Sequence, residues 1–485
     1  MTGSLRAAVL ALALASASAS VAEAPLRQRV EAVLAQAGPG TRFGLVVATE
    51  DGRELVAIAP EERFIPASNT KMFTTAAALE TLANVDRPDT AGGAAVRLES
   101  RRNGAPDVVL EGHGDARLSS APDCRTDCLA ELAVAVAATA RVVGDVVGDD
   151  SLFPDQRWSP GMSWNNIPSR YGTAISALTL DDNELIIRVR PGAPGAPPGL
   201  ELPSYYQVDN RAVTVAGGPT SLSFDRMPGE RLVRLTGTIA AGAEPELLRL
   251  GIDDPAHHAA WRLKALLEQR GVRVTGNVQV RHRPVRPFDD PARRTGAPAP
   301  RPPRPEPLAK LVPPPLGQDI VTINKASQNL HAELLLRRVG YEKGTGSIGD
   351  GVAAVRAMLD QAGVPRAQYD FSDGSGMSTY NRLSPRGVIT FLRWVSGRPW
   401  GSAWRESLPV AGIDGTLARR FKATPLEGKL FAKTGSLNAT NALSGYMTAK
   451  SGRTLLFSVF ANDVPDGASA TPAMDSALAL IADAN

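Results

Sequence analysis

Apolar positions change their spacing several times along the chain. Pro25 to Ala37 carries them at helical spacing, and Arg42 to Ala48 (RFGLVVA) is a strand-length apolar run. Glu50-Asp51-Gly52-Arg53 reads as a hairpin turn and Glu54 to Ala59 as the returning strand. After Pro66 a helix is predicted to begin near Ser68 and run to about Ala83. From about Asp86 to Pro305 the texture changes to short alternating strands (96–99, 108–111, 185–189, 232–238) between Gly and Pro turns. Two helical stretches, 128–139 and 255–270, interrupt them. Helical periodicity returns at Leu308, with helices predicted over 320–339, over 351–362 and after Ser384-Pro385. A strand edge at 430–436, strands over 442–448 and 454–461, and a closing helix over 471–484 complete the pattern. First and last segments together predict an α+β fold with helices beside an antiparallel sheet.

At 485 residues the chain exceeds one ordinary core, and two or three domains are expected. A net charge of +3 is small for this length and argues against a nucleic-acid partner. Arg6, the apolar run 7–15 and the small residues 16–24 have the layout of an export signal, with cleavage after Ala22 favoured. No apolar run is long enough for a transmembrane anchor. A soluble protein in the periplasm or another extracytoplasmic space is therefore expected. In such a compartment the only two cysteines, Cys124 and Cys128, suit a small structural disulfide. The alternatives are two free thiols or half a metal site. None of the five histidines has ligand-like spacing near the pair, and no metal or cofactor is expected. The Pro-Arg-rich stretch 281–305 reads as an extended, solvated connector.

Candidate chemistry starts at Ser68-Asn69-Thr70-Lys71. Residues three apart share a helix face, so the Ser68 hydroxyl and the Lys71 amine can meet. A serine hydroxyl is a weak nucleophile until a base takes its proton, and a buried lysine kept neutral can be that base. An S-x-x-K pattern alone is weak evidence. Two further motifs follow it in order, Ser327-Gln328-Asn329 and Lys433-Thr434-Gly435. Ser68/Lys71 is the sole S-x-x-K and 433–435 the sole K-T-G in a chain with only nine lysines. All three in one order match the set of the penicillin-recognising serine enzymes.

The chain resembles, more closely, the D-alanyl-D-alanine carboxypeptidase/endopeptidase family, the class C low-molecular-mass penicillin-binding proteins. The stretches ASNTKMFTTAAAL, GHGDARL, WNNIPSRYGTAISALTLDDNEL, NKASQNLHAELLLRRVG, DGSGMSTYNRLSP, LPVAGIDGTL and AKTGSLNATNALSGYM carry the resemblance. It implies a penicillin-recognising serine peptidase domain over 25–85 and 306–485, interrupted by largely β inserted domains over 86–305. Two nested units are expected there, about 86–160 with 240–285, and 161–239. It also implies peptidoglycan stem peptides as substrates and β-lactams as covalent inhibitors.

Within that resemblance Ser68 is the nucleophile, Lys71 its general base, and Ser327, on a helix facing the cleft, a proton relay to the leaving amine. Asn329 would hold the substrate's peptide group, and Lys433 and Thr434 its terminal carboxylate. Gly435 would let the strand approach closely, and the Ser68 and Ser436 N–H groups would form an oxyanion hole. Asp149 is a candidate for binding a substrate amine, against an ordinary turn carboxylate. Lys325 reads as solvated. Thr379 stands where some members carry a basic residue suited to a stem-peptide carboxylate, which puts diaminopimelate recognition in doubt. The competing functions are a β-lactamase and a catalytically inactive peptidoglycan-binding scaffold. Glu80 to Asn84 is the nearest approach to a lactamase E-x-x-L-N pattern and has the wrong fourth residue.

Overall fold

The computed structural model describes residues 24–298 and 305–485. The expected export signal, 1–22, lies outside the described residues, as do residues 299–304 of the expected connector. Among the described residues, no helix is long and apolar enough to cross a membrane.

Five antiparallel strands form the central sheet, in the order Leu430–Leu437, Thr440–Thr448, Thr454–Asn462, Arg42–Thr49, Glu54–Ile58. Arg42–Thr49 pairs along its whole length with Thr454–Asn462, so the two ends of the chain close one sheet around everything between. Leu45 and Val47 pack on one side with Val30 and Leu34 of helix Leu26–Leu34 and with Leu478 and Ile481 of helix Thr471–Asp483. Val46 and Ala48 pack on the other, with Met72 and Phe73 of helix Thr70–Thr81, Ile323 of helix Leu316–Lys325 and Leu335 of helix Asn329–Lys343. Burial on both faces is why Arg42 to Ala48 reads as a continuous apolar run and does not alternate. Phe73 packs at a tilt against Phe391, ring centroids 4.3 Å apart, anchoring the helix Thr70–Thr81 in that core. Its truncation to alanine would cost about 3–5 kcal/mol.

Between these segments lies a second sheet, ordered Val278–Arg283, Val146–Pro154, Asp107–Glu111, Ala95–Glu99, Ala309–Lys310. Val146–Pro154 pairs in parallel with both of its neighbours, and helices Leu129–Thr139 and Pro255–Gln269 make the crossovers that parallel strands require. The two helical stretches in the sequence are thus structural partners of this sheet. A β-rich unit, with Val189, Val233 and Leu235 in its core, is set into it; Glu184–Arg190 pairs there with Glu246–Gly251. That pairing carries the small unit beyond residue 239. Cys124 and Cys128 are disulfide-bonded, with Cys128 capping helix Leu129–Thr139.

Two sequence expectations change. The helix expected over 320–339 is two helices, Leu316–Lys325 and Asn329–Lys343, broken where Ser327 takes a left-handed φ of 59°. Helical periodicity continues across the break because both helices bury their apolar faces in the same core. The start of the expected connector is also built into the fold. Arg281 pairs with Glu99 at 2.5 Å, Arg283 with buried Asp289 at 2.8 Å, and Arg294 with Asp350 at 2.7 Å. These arginines are held by carboxylates that are remote in sequence or buried in the turn that follows.

Candidate active site

The turn that carries Ser68 precedes the helix. Ala67–Asn69 is a single 3-10 turn, with Ala67 at φ 45°, and the α-helix begins at Thr70. A β-carbon placed on Gly376 would lie 1.9 Å from the Ala67 carbonyl oxygen, and one on Gly435 2.6 Å from that of Pro66. Both glycines therefore let backbone press against the turn. For Gly435 the sequence suggested room for substrate; the nearest atoms to that space belong to the turn that carries Ser68. The Asn69 Nδ2 also donates to the Lys433 carbonyl at 2.8 Å, tying turn to strand. Gly376→Ala, with φ at 89° and no room for a methyl, should displace Ala67 and Ser68. A shift of about 1 Å is enough to slow acylation about 10²-fold. Fluorescent β-lactam labelling, with circular dichroism as the folding control, measures this; an unchanged rate would mean the turn does not depend on Gly376.

Lys71 is fully buried. Its Nζ donates to Ser68 Oγ at 2.9 Å, to Asn329 Oδ1 at 2.6 Å and to the Ser375 carbonyl at 2.5 Å. Burial lowers its pKa to about 7, against the opposing charges of Asp373 and Glu333. Across the cleft, Lys433 Nζ donates to Ser327 Oγ at 2.9 Å and to the Thr434 carbonyl at 3.0 Å. Burial, reinforced by the like charge of Lys71, holds Lys433 well below the usual lysine range. Two serine hydroxyls, each on a buried amine, thus come from four separate elements.

The three motifs converge, while other expected site residues find different surroundings. Asn329 is held at both ends, since its Nδ2 donates to the Tyr171 carbonyl at 2.9 Å. Ser327 lies in the turn between two helices and not on a helix. Thr434 Oγ1 is 2.7 Å from Thr416 Oγ1, and Lys325, expected in solvent, pairs with Asp414 at 2.7 Å. Asp149 sits within strand Val146–Pro154, where its Oδ1 accepts from the Ser151 amide at 3.0 Å and hydroxyl at 2.6 Å. The inserted region reaches the cleft through another segment, whose Trp158, Met162 and Tyr171 line a cavity with Asn329, Ser375 and Met377. Thr379 is tied to that segment: its amide and hydroxyl both donate to the Gly161 carbonyl, at 2.9 and 3.0 Å.

Sequence reasoning missed the carboxylates behind Lys71. Glu333 and Asp373 are both buried. Asn329, Glu333 and Arg337 recur every four residues on one helix face, a signal present in NLHAELLLRRVG; Arg337 pairs with Glu333 at 2.9 Å.

The chain matches the D-Ala-D-Ala carboxypeptidase 3 (S13) family over residues 26–484. It is 35% identical over 460 residues to a D-alanyl-D-alanine carboxypeptidase of Actinomadura sp., covering 90% of this chain and 81% of that one. It is 23% identical over 440 residues to the D-alanyl-D-alanine carboxypeptidase DacB of Haemophilus influenzae, covering 88% and 87%. The fold is that of the crystal structure of penicillin-binding protein 4 (dacB) from Haemophilus influenzae, with a TM-score of 0.75, 22% identity, and coverage of 90% of this chain and 94% of that one. That protein has also been solved in complex with a β-lactam, a structure matched with a TM-score of 0.73, 21% identity and coverage of 93% and 98%. Likeness across nearly the whole described chain, inserted region included, makes this a member of the D-Ala-D-Ala carboxypeptidase 3 (S13) family of serine peptidases.

Proposed function

We propose that the protein removes the terminal D-alanine from peptidoglycan stem peptides through a Ser68 acyl-enzyme. Endopeptidase action on a cross-link is the same chemistry with a different leaving amine. The observation that carries the reading is the buried Lys71 amine, held near neutrality 2.9 Å from Ser68 Oγ. Neutral Lys71 takes the Ser68 proton as Oγ attacks the carbonyl between the two D-alanines. The oxygen that becomes negative would be met by the Ser68 and Ser436 N–H groups, worth about 3 kcal/mol per donor. The C–N bond then breaks, and Ser327, on Lys433, relays a proton to the departing amine. Water hydrolyses the acyl-enzyme and restores Ser68.

Lys433 has no carboxylate partner among the described residues, and burial disfavours its charge. A substrate carboxylate arriving beside Lys433 and Thr434 would supply the missing counter-charge and draw a proton onto the amine. For Asn329 to hold the substrate's peptide group, its Nδ2 would have to share or leave the Tyr171 carbonyl. Glu80, the nearest lactamase-like acid, lies twelve residues beyond Ser68, about 18 Å along the helix axis, and its Oε2 accepts from the Trp400 indole. Peptidoglycan lies outside the cytoplasmic membrane, so this reading requires export, which the layout of residues 6–24 fits.

Steady-state release of D-alanine from a D-Ala-D-Ala stem-peptide mimic tests the proposal. Release is expected from the wild type and not from Ser68→Ala; a wild type releasing none would overturn it. The side chain at 379 adds a second expectation. Thr379 offers a hydroxyl already bound to Gly161 where a cation would face an acidic group. An intact charge-assisted contact is worth about 1.5–3 kcal/mol, or roughly tenfold and more in kcat/KM. Peptides bearing lysine and diaminopimelate are therefore expected to differ by only a few-fold. A tenfold preference for the acid-bearing peptide would show that another cation does the job.

A further inference from the structure

The role of Lys71 as base rests on the functional reading above; what aims it is a separate question. An ammonium has three N–H groups, and Lys71 has three acceptors. A neutral amine keeps two N–H groups and a lone pair. If the two carbonyl oxygens, of Asn329 and Ser375, take the two N–H groups, the lone pair is left pointing at Ser68. The base is therefore only as well aimed as the Ser375 carbonyl is fixed.

That carbonyl belongs to the turn Asp373-Gly374-Ser375-Gly376, which buried carboxylates hold from both sides. Glu333 Oε1 accepts from the Gly374 amide at 3.0 Å and the Ser375 amide at 2.9 Å. Asp373 accepts from the Gly376 amide at 2.9 Å, the Ser378 amide at 2.6 Å and Asn381 Nδ2 at 2.6 Å. Thr74, one turn after Lys71, donates to the Gly374 carbonyl at 2.7 Å. Glu333 is charge-paired with Arg337, whereas Asp373 forms no ion pair among the described residues. Lys433 on the strand also acts on Lys71, and Arg157 of the inserted region, anchored on Asp155 and Asp254, lines a cavity with Asn329, Glu333 and Ser375.

We propose that Asp373 and Glu333 are positioning residues for Lys71: they clamp the Ser375 turn that aims the amine at Ser68, and they supply the negative field behind it. Neither touches the reacting atoms. Burial and the Glu333 charge push Asp373 up to about 6, so it is ionised over most of the range in which Lys71, at about 7, loses its proton. Asp373 thus opposes the desolvation of Lys71. Without that opposition the amine would deprotonate at lower pH and be a weaker base, and the turn would lose its acceptor.

The experiment measures the rate of β-lactam acylation at pH 6 and pH 8 in wild type and Asp373→Asn. A base titrating near 7 gives about a tenfold faster rate at pH 8 than at pH 6. Losing one nearby charge moves such a group by about one unit, taking the ratio to about twofold, with a lower rate at pH 8 from the loosened turn. Glu333→Gln is measured alongside, so that misfolding of one variant leaves the other to decide. It is expected to lower the ratio less, because Glu333 supports the Lys71 charge less than Asp373 does, and Asp373, relieved of the Glu333 charge, stays more fully ionised. A purely structural role would lower the rates and leave the ratio near ten, and that result in folded variants overturns the inference. A wild type that takes no β-lactam at either pH would instead fault the serine-peptidase reading itself.

Discussion

Lys71→Ala is expected to reduce acylation of Ser68 on the order of 10⁴-fold, the largest effect of any single substitution that leaves the nucleophile in place. The magnitude follows from what the fold does to this amine. An ordinary lysine at 10.5 is about 0.1% neutral at pH 7.5, while one at about 7 is mostly free base, a gain of several hundred-fold. General-base assistance itself contributes about 10²–10⁴-fold. Alanine removes both, and leaves the Asn329 and Ser375 acceptors facing an empty buried space. Lys433→Arg should behave differently. It places a permanent cation of altered geometry beside Ser327, where the substrate carboxylate is received, and acylation should fall only about 10- to 10²-fold. Pre-steady-state labelling with a fluorescent penicillin separates the two, and near-normal labelling of Lys71→Ala would assign the base elsewhere.

Penicillin should remain on Ser68 at one molecule per chain. A β-lactam offers a strained amide and a carboxylate spaced as in D-alanyl-D-alanine, so the same groups should receive both. Ser68 Oγ opens the ring while Lys71 takes the proton. In the peptide reaction the amine departs and water enters its place. In the lactam reaction the amine remains tethered and blocks the water, so hydrolysis stalls. Glu80, the nearest lactamase-like carboxylate, is held by Trp400 far along the helix and offers no rescue. Intact-mass spectrometry should find a single adduct that maps to the Ser68 peptide and is absent from Ser68→Ala. An unmodified wild type beside unhydrolysed drug would refute the active-enzyme reading, and rapid hydrolysis without an adduct would favour a β-lactamase.

By itself the sequence determined the kind of fold and the kind of chemistry. Apolar runs at strand length near both ends, with helical periodicity around them, specify helices on an antiparallel sheet, because burial dictates spacing locally. The three motifs were legible because the chemistry needs those residue types at short fixed spacings, and their order and rarity in a nine-lysine chain made them specific. Tertiary structure decided what depends on contacts between distant residues. Parallel pairing in the inserted sheet follows from where helices 129–139 and 255–269 cross over, which no local pattern reports. Only the fold shows that Ser327 sits in a strained turn, that Asn329 is tied to Tyr171, that Trp158, Met162 and Tyr171 line the cavity beside Asn329, and that Asp149 is bonded to Ser151. Protonation was decided there too. Lys71 and Lys433 look alike in sequence, and what each can do rests on desolvation, on the proximity of the two amines, and on Asp373, about three hundred residues from the lysine it faces.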